Sequence, residues 1–337
     1  MDLDIVFLGT GGSVPTARRA TASLLVRRGG DRLLFDCGEG TQRQMHRSVG
    51  LIQLDQIFLT HFHADHYLGL PGLLKTYDLQ DRDTPLEIFG PRGLQALFDA
   101  IGRITGRTRY EVNLIELEPG EAVEQDGYEI RPYPVEHRMQ AFGYALVEPE
   151  RPGRFDPQAA ERLGVTSGPA FGSLQRGEAV EANGQTVQSG DVMGPSRPGR
   201  KLVITGDTTA CDSTLEAAFG AELLVHDASF ANDQVERAAE TGHATAAQAA
   251  RLAREAEVGM LALVHISSRY NPREVLEEAR SELPGAVAPR DFDLIEIPHS
   301  ERGVPTLVKN GARERPASDA AGGSGESPTD VAGTVAD

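Results

Sequence analysis

The chain has few of the residues that would build a disulfide framework, a thiolate metal site or a membrane span. It has two cysteines, Cys37 and Cys211, in 337 residues, which exclude a disulfide scaffold and a zinc site built on thiolates and favour a reducing compartment. No apolar run reaches the ~18 residues of a spanning helix. The acidic residues 1–4 lead straight into a strand-like run rather than a signal peptide. We therefore expect a cytoplasmic protein that does not associate with membranes.

Basic residues are also scarce. Asp and Glu number 50 against 33 Lys and Arg, the net charge is −17, and the only lysines are Lys75, Lys201 and Lys309. This composition is typical of proteins from salt-loving organisms and predicts a halophilic source. Molar salt shortens the Debye length to ~3 Å, so the charge does not exclude a polyanionic partner. The alternative interpretation is an acidic mesophilic enzyme with a small substrate.

Short apolar runs alternate with helical periods along most of the chain. Strands are predicted at 5–8, 23–26, 32–35, 56–60, 86–89, 128–135, 143–147, 202–205, 223–225 and 261–264. Helices are predicted at 40–47, 68–79, 92–104, 213–219, 245–257 and 272–282. Thr245 is the expected N-cap of one helix, and Pro272 the expected first residue of another. This interleaving predicts an α/β (or α+β) layered fold.

Two segments depart from this pattern. Residues 150–200 are rich in Gly, Pro and polar side chains and show no convincing period, which predicts a long functional or mobile loop. Residues 312–337 are rich in Ala, Gly, Ser, Pro and Asp, without aromatics, which predicts a disordered acidic tail. We therefore expect one domain over residues 1–311, with an insertion at about 150–200.

The clearest chemical signal is a dense histidine motif directly after a predicted strand. The chain reads His61-Phe62-His63-Ala64-Asp65-His66. His61 and His63 are two residues apart, which places them on one side of an extended chain, and Asp65 and His66 follow as the chain turns into a helix. Imidazoles and carboxylates are the ligands that Zn²⁺ takes when thiolates are absent. The motif therefore predicts a zinc site.

Further ligand-type residues stand at the ends of other predicted strands. His137, Asp207 and His265 each directly follow one. Functional residues of open α/β sheets gather at the carboxyl ends of the strands, so these three side chains are expected to meet the histidine motif in space. The seven residues together predict a site with two metal ions.

These residues resemble the ligand series of the metallo-β-lactamase superfamily, and several other motifs are similar to the ribonuclease Z family within it. The motifs are Phe7-Leu8-Gly9-Thr10-Gly11-Gly12, Asp36-Cys37-Gly38-Glu39-Gly40-Thr41-Gln42, Pro198-Gly199-Arg200-Lys201, Gly206-Asp207-Thr208, Gly242-His243-Ala244-Thr245 and His265-Ile266-Ser267-Ser268-Arg269-Tyr270. The resemblance extends from about residue 5 to residue 297. It implies a four-layer αβ/βα sandwich with an inserted flexible arm. It also implies a zinc-dependent endoribonuclease that removes the 3′ trailer from precursor tRNA and leaves a 3′-hydroxyl.

The resemblance also implies a role for each site residue. One of two zinc ions per subunit is held by His61, His63 and His137; the other is held by Asp65, His66 and His265, with Asp207 bridging. Asp65 orients or deprotonates the attacking water, and His243 protonates the leaving 3′ oxygen. The alternative for His243 is a residue chosen to begin a helix.

Substrate contacts are expected from Arg269, which could hold a phosphate, and from Gly168 and Pro169 in the arm, which grips the tRNA away from the zinc ions. Asp227 is also expected to contribute to substrate binding, by supporting His243. It stands in His226-Asp227-Ala228, where the family usually has His-Glu-Ala, and its side chain is one methylene shorter. The alternative for Arg269 is a structural ion pair, and for the arm a disordered surface loop. A homodimer is implied, in which each arm serves the partner's active site.

Other basic residues could contact phosphates. The candidates are Arg103, Arg107, Arg109, Arg197, Arg200 and Lys201. The glycine-rich residues 9–12 lack the full phosphate-loop spacing and a following lysine, so we interpret them as a tight turn and expect no nucleotide cofactor.

Two rival functions remain open. One is a small-molecule hydrolase of the same fold that acts on thioesters, lactones or phosphodiesters. The other is a zinc-dependent RNA-binding protein without activity. The long arm and the motif around His243 favour the nuclease over the first, and Asp65, placed between ligand histidines, favours an enzyme over the second.

Overall fold

Two mixed β-sheets form the centre of the molecule, in a computed structural model that describes residues 1–311. The predicted tail at 312–337 lies outside the described residues. The first sheet contains, in spatial order, Thr306–Val308 (β16), Leu294–Glu296 (β15), Leu3–Gly9 (β1), Ser23–Arg28 (β2), Asp31–Phe35 (β3), Gln56–Phe58 (β4), Leu86–Gly90 (β5) and Val112–Glu116 (β6). The strands from β3 to β6 are parallel, and the others pair antiparallel.

The second sheet has six strands. They are, in spatial order, Met260–Val264 (β14), Leu223–Asp227 (β13), Lys201–Ile204 (β12), Phe142–Val147 (β9), Tyr128–Pro134 (β8) and Val123–Gln125 (β7). Here β12, β13 and β14 are parallel and the rest antiparallel. Parallel strands end at the same edge of a sheet, and this edge carries the site described below.

Helices cover the outer faces of both sheets, and two short ones, the fifth and sixth along the chain, belong to the inserted segment. They are Thr41–Arg47 (α1), Ala64–Tyr67 (α2), Leu70–Leu79 (α3), Leu94–Thr105 (α4), Pro157–Arg162 (α5), Pro169–Gln175 (α6), Asp212–Ala218 (α7), Val235–Thr241 (α8), Ala246–Glu255 (α9) and Pro272–Glu282 (α10), with 3₁₀ turns at Ser189–Asp191, Asn232–Gln234 and Ser300–Arg302. Thr245 caps α9 with a reciprocal bond to Gln248, and Asn271 caps α10. Within residues 1–311, none of the helices combines the length and the apolarity needed to cross a membrane.

Alternation along the strands separates the core into layers. In β1, Ile5 and Phe7 face the second sheet, where they join a cluster that includes Tyr144. Val6 and Leu8 point the other way and pack with α1 and α3. The outer face of the second sheet is covered mainly by α9, whose alanines let the helix lie close to the strands. The arrangement is helix, sheet, sheet, helix, and it confirms the four-layer α/β sandwich.

The inserted segment is more ordered than the expected long loop, because it contains two helices and a hairpin. The hairpin joins Val180–Ala182 (β10) to Gln185–Val187 (β11) through Asn183 and Gly184, both with positive φ. Asn-Gly between short apolar runs is a strong hairpin signal that the composition of the segment masked. Helices of six and seven residues are too short to show a period.

This insertion has a core of its own. Its apolar cluster is drawn wholly from arm residues: Ala160, Val165, Leu174, Val187 and Val192, with Phe155 and Phe171 packed against them. A two-stranded stalk leads to it, paired at Arg151 with Arg197 and at Phe155 with Met193. We call residues 150–198 the arm, and this paired base its stalk.

Candidate metal centre

The seven predicted ligands converge at one edge of the two sheets. His61 and His63 follow β4, Asp65 and His66 lie in the short helix α2, and the remaining three each follow a strand of the second sheet: His137 after β8, Asp207 after β12 and His265 after β14. His265 has a φ of 58°, a strained backbone for a non-glycine residue, which turns its ring into the site. Such strain is typical of functional sites.

Donor atoms form a first group around His63. The Nδ1 atom of His63 lies 3.0 Å from His61 Nε2 and 3.1 Å from His137 Nε2. His61 Nε2 is 3.7 Å from Asp207 Oδ2. These four residues can offer atoms that all lie within 4.8 Å of one another, which is the spacing of ligands around one ion.

A second group shares Asp207 with the first. His66 Nε2 and His265 Nε2 each lie 3.3 Å from Asp207 Oδ1. Asp65 Oδ2 lies 3.2 Å from His265 Nε2 and 3.6 Å from His66 Nε2. Because one oxygen of Asp207 faces each group, this carboxylate is positioned to bridge two ions.

Four of the imidazoles are each held by a hydrogen-bond partner at Nδ1. His66 contacts Asp36 Oδ2 at 2.7 Å, and His137 contacts the Gly242 carbonyl oxygen at 2.7 Å. His61 contacts Thr60 Oγ1 at 3.0 Å, and His265 contacts Ser229 Oγ at 2.8 Å. Each contact leaves Nε2 directed into the site, as in proteins whose metal-binding histidines are held by an outer partner.

These residues fit a metal pair. His66 Nε2 and Asp207 Oδ1 are buried and have no hydrogen-bond partner among the described residues. A buried polar atom without a partner is costly, and both atoms point at the space that a cation would fill. Five imidazoles and two carboxylates make a nitrogen and oxygen donor set suited to Zn²⁺ and to similar divalent ions.

The electrostatics of the site favour a cation. Burial opposes a charge on His66, but Asp207 and Asp36 outweigh it and hold the pKa of His66 well above its usual range. Burial likewise opposes a charge on His265, and Asp207 and Asp65 raise its pKa. Carboxylates that hold protons on buried imidazoles create the same negative potential that attracts a divalent ion.

His243 lies beside this group, at the start of the chain that leads into α9. Its ring stacks on His265 with the centroids 5.3 Å apart. Its Nδ1 lies 2.7 Å from Asp227 Oδ2, so the shorter acid reaches the histidine in spite of the missing methylene. Burial lowers the pKa of His243, but Asp227 outweighs it and raises the pKa to about 9. This pKa favours a protonated imidazole at neutral pH, and Nε2 makes no hydrogen bond within residues 1–311.

Asp227 itself is fully buried. It accepts hydrogen bonds from the backbone N–H and hydroxyl of Ser229, at 2.8 and 2.6 Å, and from the Thr208 N–H at 3.2 Å. A residue enclosed in this way does not touch a substrate. Within the site it contacts His243 directly and His265 through Ser229.

The structure adds site residues that the sequence analysis did not single out. Asp36, Thr60 and Ser229 orient the imidazoles, and Ser13 donates its backbone N–H to Asp65 Oδ2 at 2.8 Å. A Cβ atom on Gly12 would lie 2.6 Å from the carbonyl oxygen of His265 and 2.7 Å from its Nδ1. The glycine-rich turn thus packs against His265 and Asp65. Its glycines were the feature of the sequence that could have indicated this close approach.

The candidate phosphate contacts separate into free and paired residues. Arg269 is exposed, and no carboxylate of residues 1–311 forms a salt bridge with it. Arg200 is 2% exposed and bonded to Glu148, so its suggested phosphate role is wrong. Arg197 is paired with Glu301. Gly168 and Pro169 lie in the arm, where they begin α6.

Comparisons with known proteins agree with the fold. The model of the metallo-β-lactamase superfamily matches residues 16–281. Ribonuclease Z of Haloferax volcanii is 48% identical, over 89% of this chain and 97% of the relative. Ribonuclease Z of Methanosarcina acetivorans is 46% identical, over 88% and 99%. Among solved structures, the short form of human tRNase Z has a TM-score of 0.64 and 26% identity, over 88% of this chain and 99% of that one.

Proposed function

Because the chain belongs to the ribonuclease Z family of the metallo-β-lactamase superfamily, we propose that it is the endoribonuclease that removes the 3′ trailer from precursor tRNA. The observation that carries this assignment is the similarity to proteins of that name over nearly their whole length, 97% of the Haloferax volcanii enzyme. The product is a tRNA with a 3′-hydroxyl. The relatives do not favour the small-molecule hydrolase.

We propose two zinc ions as the cofactor. His61, His63 and His137 would hold one, and Asp65, His66 and His265 the other, with Asp207 between them. When bound, such a pair acidifies a water molecule and neutralises the charge that develops on the phosphodiester. Three observations support this assignment: the two groups of closely spaced donor atoms, the Nδ1 partners of the imidazoles, and the buried atoms His66 Nε2 and Asp207 Oδ1.

The residues of the chain supply the proton transfers. Asp65, held by the Ser13 N–H, accepts a proton from the water as the water oxygen attacks phosphorus. The bond from phosphorus to the 3′ oxygen then breaks, and His243 donates a proton from Nε2 to that oxygen, while Asp227 holds the opposite nitrogen. Arg269 is exposed and lies four residues after His265 in the chain. We propose that its guanidinium fork binds a phosphate.

The arm is proposed to bind the tRNA away from the metal centre, with Gly168 and Pro169 at the start of one of its helices. We further propose a cytoplasmic homodimer in which each arm serves the active site of the partner, in an organism whose cytoplasm is salty. The net charge of −17 and the three lysines support the last point.

The direct test is incubation with a 3′-extended tRNA at high salt, with and without a chelator, and mapping of both ends at the cut. We expect one cut at the 3′ end of the tRNA body, a 3′-hydroxyl on the tRNA, loss of cleavage with the chelator and recovery with zinc. Asp65→Ala is the control against a contaminating nuclease and should not cleave. Cleavage that continues in the presence of the chelator, or in Asp65→Ala, would contradict the proposal.

A further inference from the structure

The arm leaves the body where one carboxylate contacts both of its strands. Glu301 Oε2 accepts from Arg151 Nη2 at 2.9 Å, and Glu301 Oε1 accepts from Arg197 Nη1 at 3.1 Å. Arg151 and Arg197 are the residues that face each other at the base of the stalk, joined by backbone hydrogen bonds of 2.7 and 2.9 Å. A single side chain therefore ties the two strands together and to the body. We call this arrangement the Glu301 clamp.

The carboxylate comes from a different sheet than the arm. The arm is inserted between β9 and β12 of the second sheet, whereas Glu301 lies in the 3₁₀ turn that links β15 to β16 of the first. That turn is short and closed by a hydrogen bond from the Arg302 N–H to the His299 carbonyl oxygen. The base of the arm is therefore fixed relative to both sheets at once.

The clamp is separate from the buried ion group beneath it. Glu148 accepts from Arg28 and Arg200, and the side chains of all three are less than a tenth exposed. Glu301 is more open, with a side-chain exposure of 22%, as are Arg151 at 22% and Arg197 at 32%. Loss of the buried group would substantially lower the stability of the protein, whereas partly exposed pairs contribute little to global stability. The clamp can therefore be removed without loss of the fold.

Beyond the clamp, the apolar cluster of the arm does not pack on the body. Beyond the clamp the backbones of the two strands lie in direct contact. A Cβ atom on Gly153 would lie only 1.9 Å from the Gly194 carbonyl oxygen, so there is no room for a side chain between them. The apolar cluster of the arm includes none of the body residues. The direction of the arm is thus set at its base, where a small rotation would move its tip through a large distance.

From these contacts we infer that Glu301 is a positioning residue, which sets the direction of the arm and through it the affinity for precursor tRNA. The inference on affinity rests on the proposed function, whereas the inference on direction does not. A stalk held at its base limits the directions that the arm can take, and so reduces the entropy that is lost when the arm is ordered on tRNA binding.

Glu301→Gln removes the charge and keeps the shape of the side chain. Glu282→Gln is a matched control, because Glu282 also accepts from two arginines, Arg251 at 3.0 Å and Arg254 at 2.7 Å, at a similar exposure but far from the arm in sequence. We expect Glu301→Gln to raise KM for a 3′-extended tRNA by about three- to ten-fold, the effect of two partly exposed pairs. We expect kcat, and turnover of bis(p-nitrophenyl) phosphate, to stay unchanged.

A distance measurement tests the direction of the arm without tRNA. Nitroxide labels at Ala179→Cys in the arm and Glu216→Cys in α7 would report the distribution of distances between the two, and both native cysteines are buried. Glu301→Gln should broaden this distribution, and Glu282→Gln should not. An unchanged distribution, or a broadened one with an unchanged KM, would overturn the inference. If the wild-type protein does not cleave precursor tRNA, the proposed function fails, and the distances alone decide whether Glu301 holds the arm.

Discussion

Individual residues of the site work in layers, since four of the five imidazoles in the candidate metal centre are held at Nδ1 by a partner outside the donor set. His66 depends on Asp36, and His265 depends on Ser229, which in turn is bonded to Asp227. Asp227 therefore supports a ligand and the proposed proton donor His243 together. Substitutions in this outer layer should change chemistry and metal affinity without changing which atoms bind the ions.

Asp227→Asn should lower kcat for precursor tRNA by about ten-fold or more, since a positioned general acid contributes 10²–10⁴-fold. Asp227 raises the pKa of His243, so its loss lowers that pKa, and the alkaline limb of the rate profile should move to lower pH. Hydrolysis of bis(p-nitrophenyl) phosphate, whose leaving group is stable as an anion, should fall less. Rate profiles for both substrates measure this difference.

The matched control for that experiment is Glu240→Gln, which removes one acidic charge from the exposed face of α8, three residues before His243. Glu240→Gln should leave the rates of hydrolysis of both substrates, and the position of the alkaline limb, as in the wild type. Equal losses on the two substrates in Asp227→Asn would show that Asp227 acts by holding the metal site rather than the proton donor.

Gly12→Ala should weaken zinc binding by about ten- to a hundred-fold, the usual effect of disturbing the shell around metal ligands. The added Cβ atom would meet the backbone and ring of His265 at less than 3 Å, and the ring would have to leave its position. Competition with a chromogenic chelator measures the affinity. Gly285→Ala, where a Cβ atom meets nothing within 4 Å, is the control and should bind zinc normally.

At the scale of the elements, the arm is a small unit joined to the body by two adjacent strands. Replacing residues 152–196 with Asn-Gly would connect Arg151 to Arg197 by a two-residue turn, which suits strands already paired at these positions. The apolar cluster of the arm would be removed whole, and the three clusters of the body would keep their members. The deletion should therefore fold.

This deletion should lower kcat/KM for precursor tRNA by about ten-fold or more, because each ~1.4 kcal/mol of lost binding is ten-fold in affinity. Hydrolysis of bis(p-nitrophenyl) phosphate should persist, because the deletion takes none of the metal ligands. Parallel assays with precursor tRNA and bis(p-nitrophenyl) phosphate measure whether only the first activity is lost. Equal loss of both activities would contradict the assignment of the arm as a remote binding site.

Elements with strong local signals could be predicted from the sequence, and those defined by their neighbours could not. The ten predicted strands and six predicted helices coincide with elements to within two residues at each end. β15 and β16 were missed because three residues carry too little alternation, and each is held by pairing to a distant strand. In the candidate metal centre, the seven donor residues could be singled out because four form one dense motif and the other three each follow a strand. Asp36 and Ser229 could not, since only folding brings them to the rings.

At the scale of the whole molecule, a buried ion group connects the two sheets in addition to their apolar packing. Glu148, which follows β9 in the second sheet, accepts from Arg28 at the end of β2 in the first sheet. Arg200, just before β12, donates to the same carboxylate and to the Ile297 carbonyl oxygen, which follows β15. The group thus connects the sheets at the edge from which the arm emerges.

Glu148→Gln should lower the free energy of unfolding by about 3 kcal/mol at neutral pH, because it leaves two buried guanidinium groups without a carboxylate. Burial opposes the charge on Glu148, but Arg200 and Arg28 outweigh it and lower its pKa from 4.5 to about 2. A depressed pKa stabilises the fold above the unfolded value and loses that contribution as the pH falls toward 2. Wild type and variant should therefore converge in acid.

Urea unfolding of the wild type, Glu148→Gln and Glu282→Gln between pH 7 and pH 3 measures this convergence. Metal loss in acid is common to all three proteins, so the difference between them isolates the substituted carboxylate. The gap between wild type and Glu148→Gln should shrink by about 2 kcal/mol over this range. Glu282→Gln should remain close to the wild type throughout, because its ion pairs are partly exposed. A gap that stays constant with pH would mean that Glu148 holds the sheets together by shape rather than by charge.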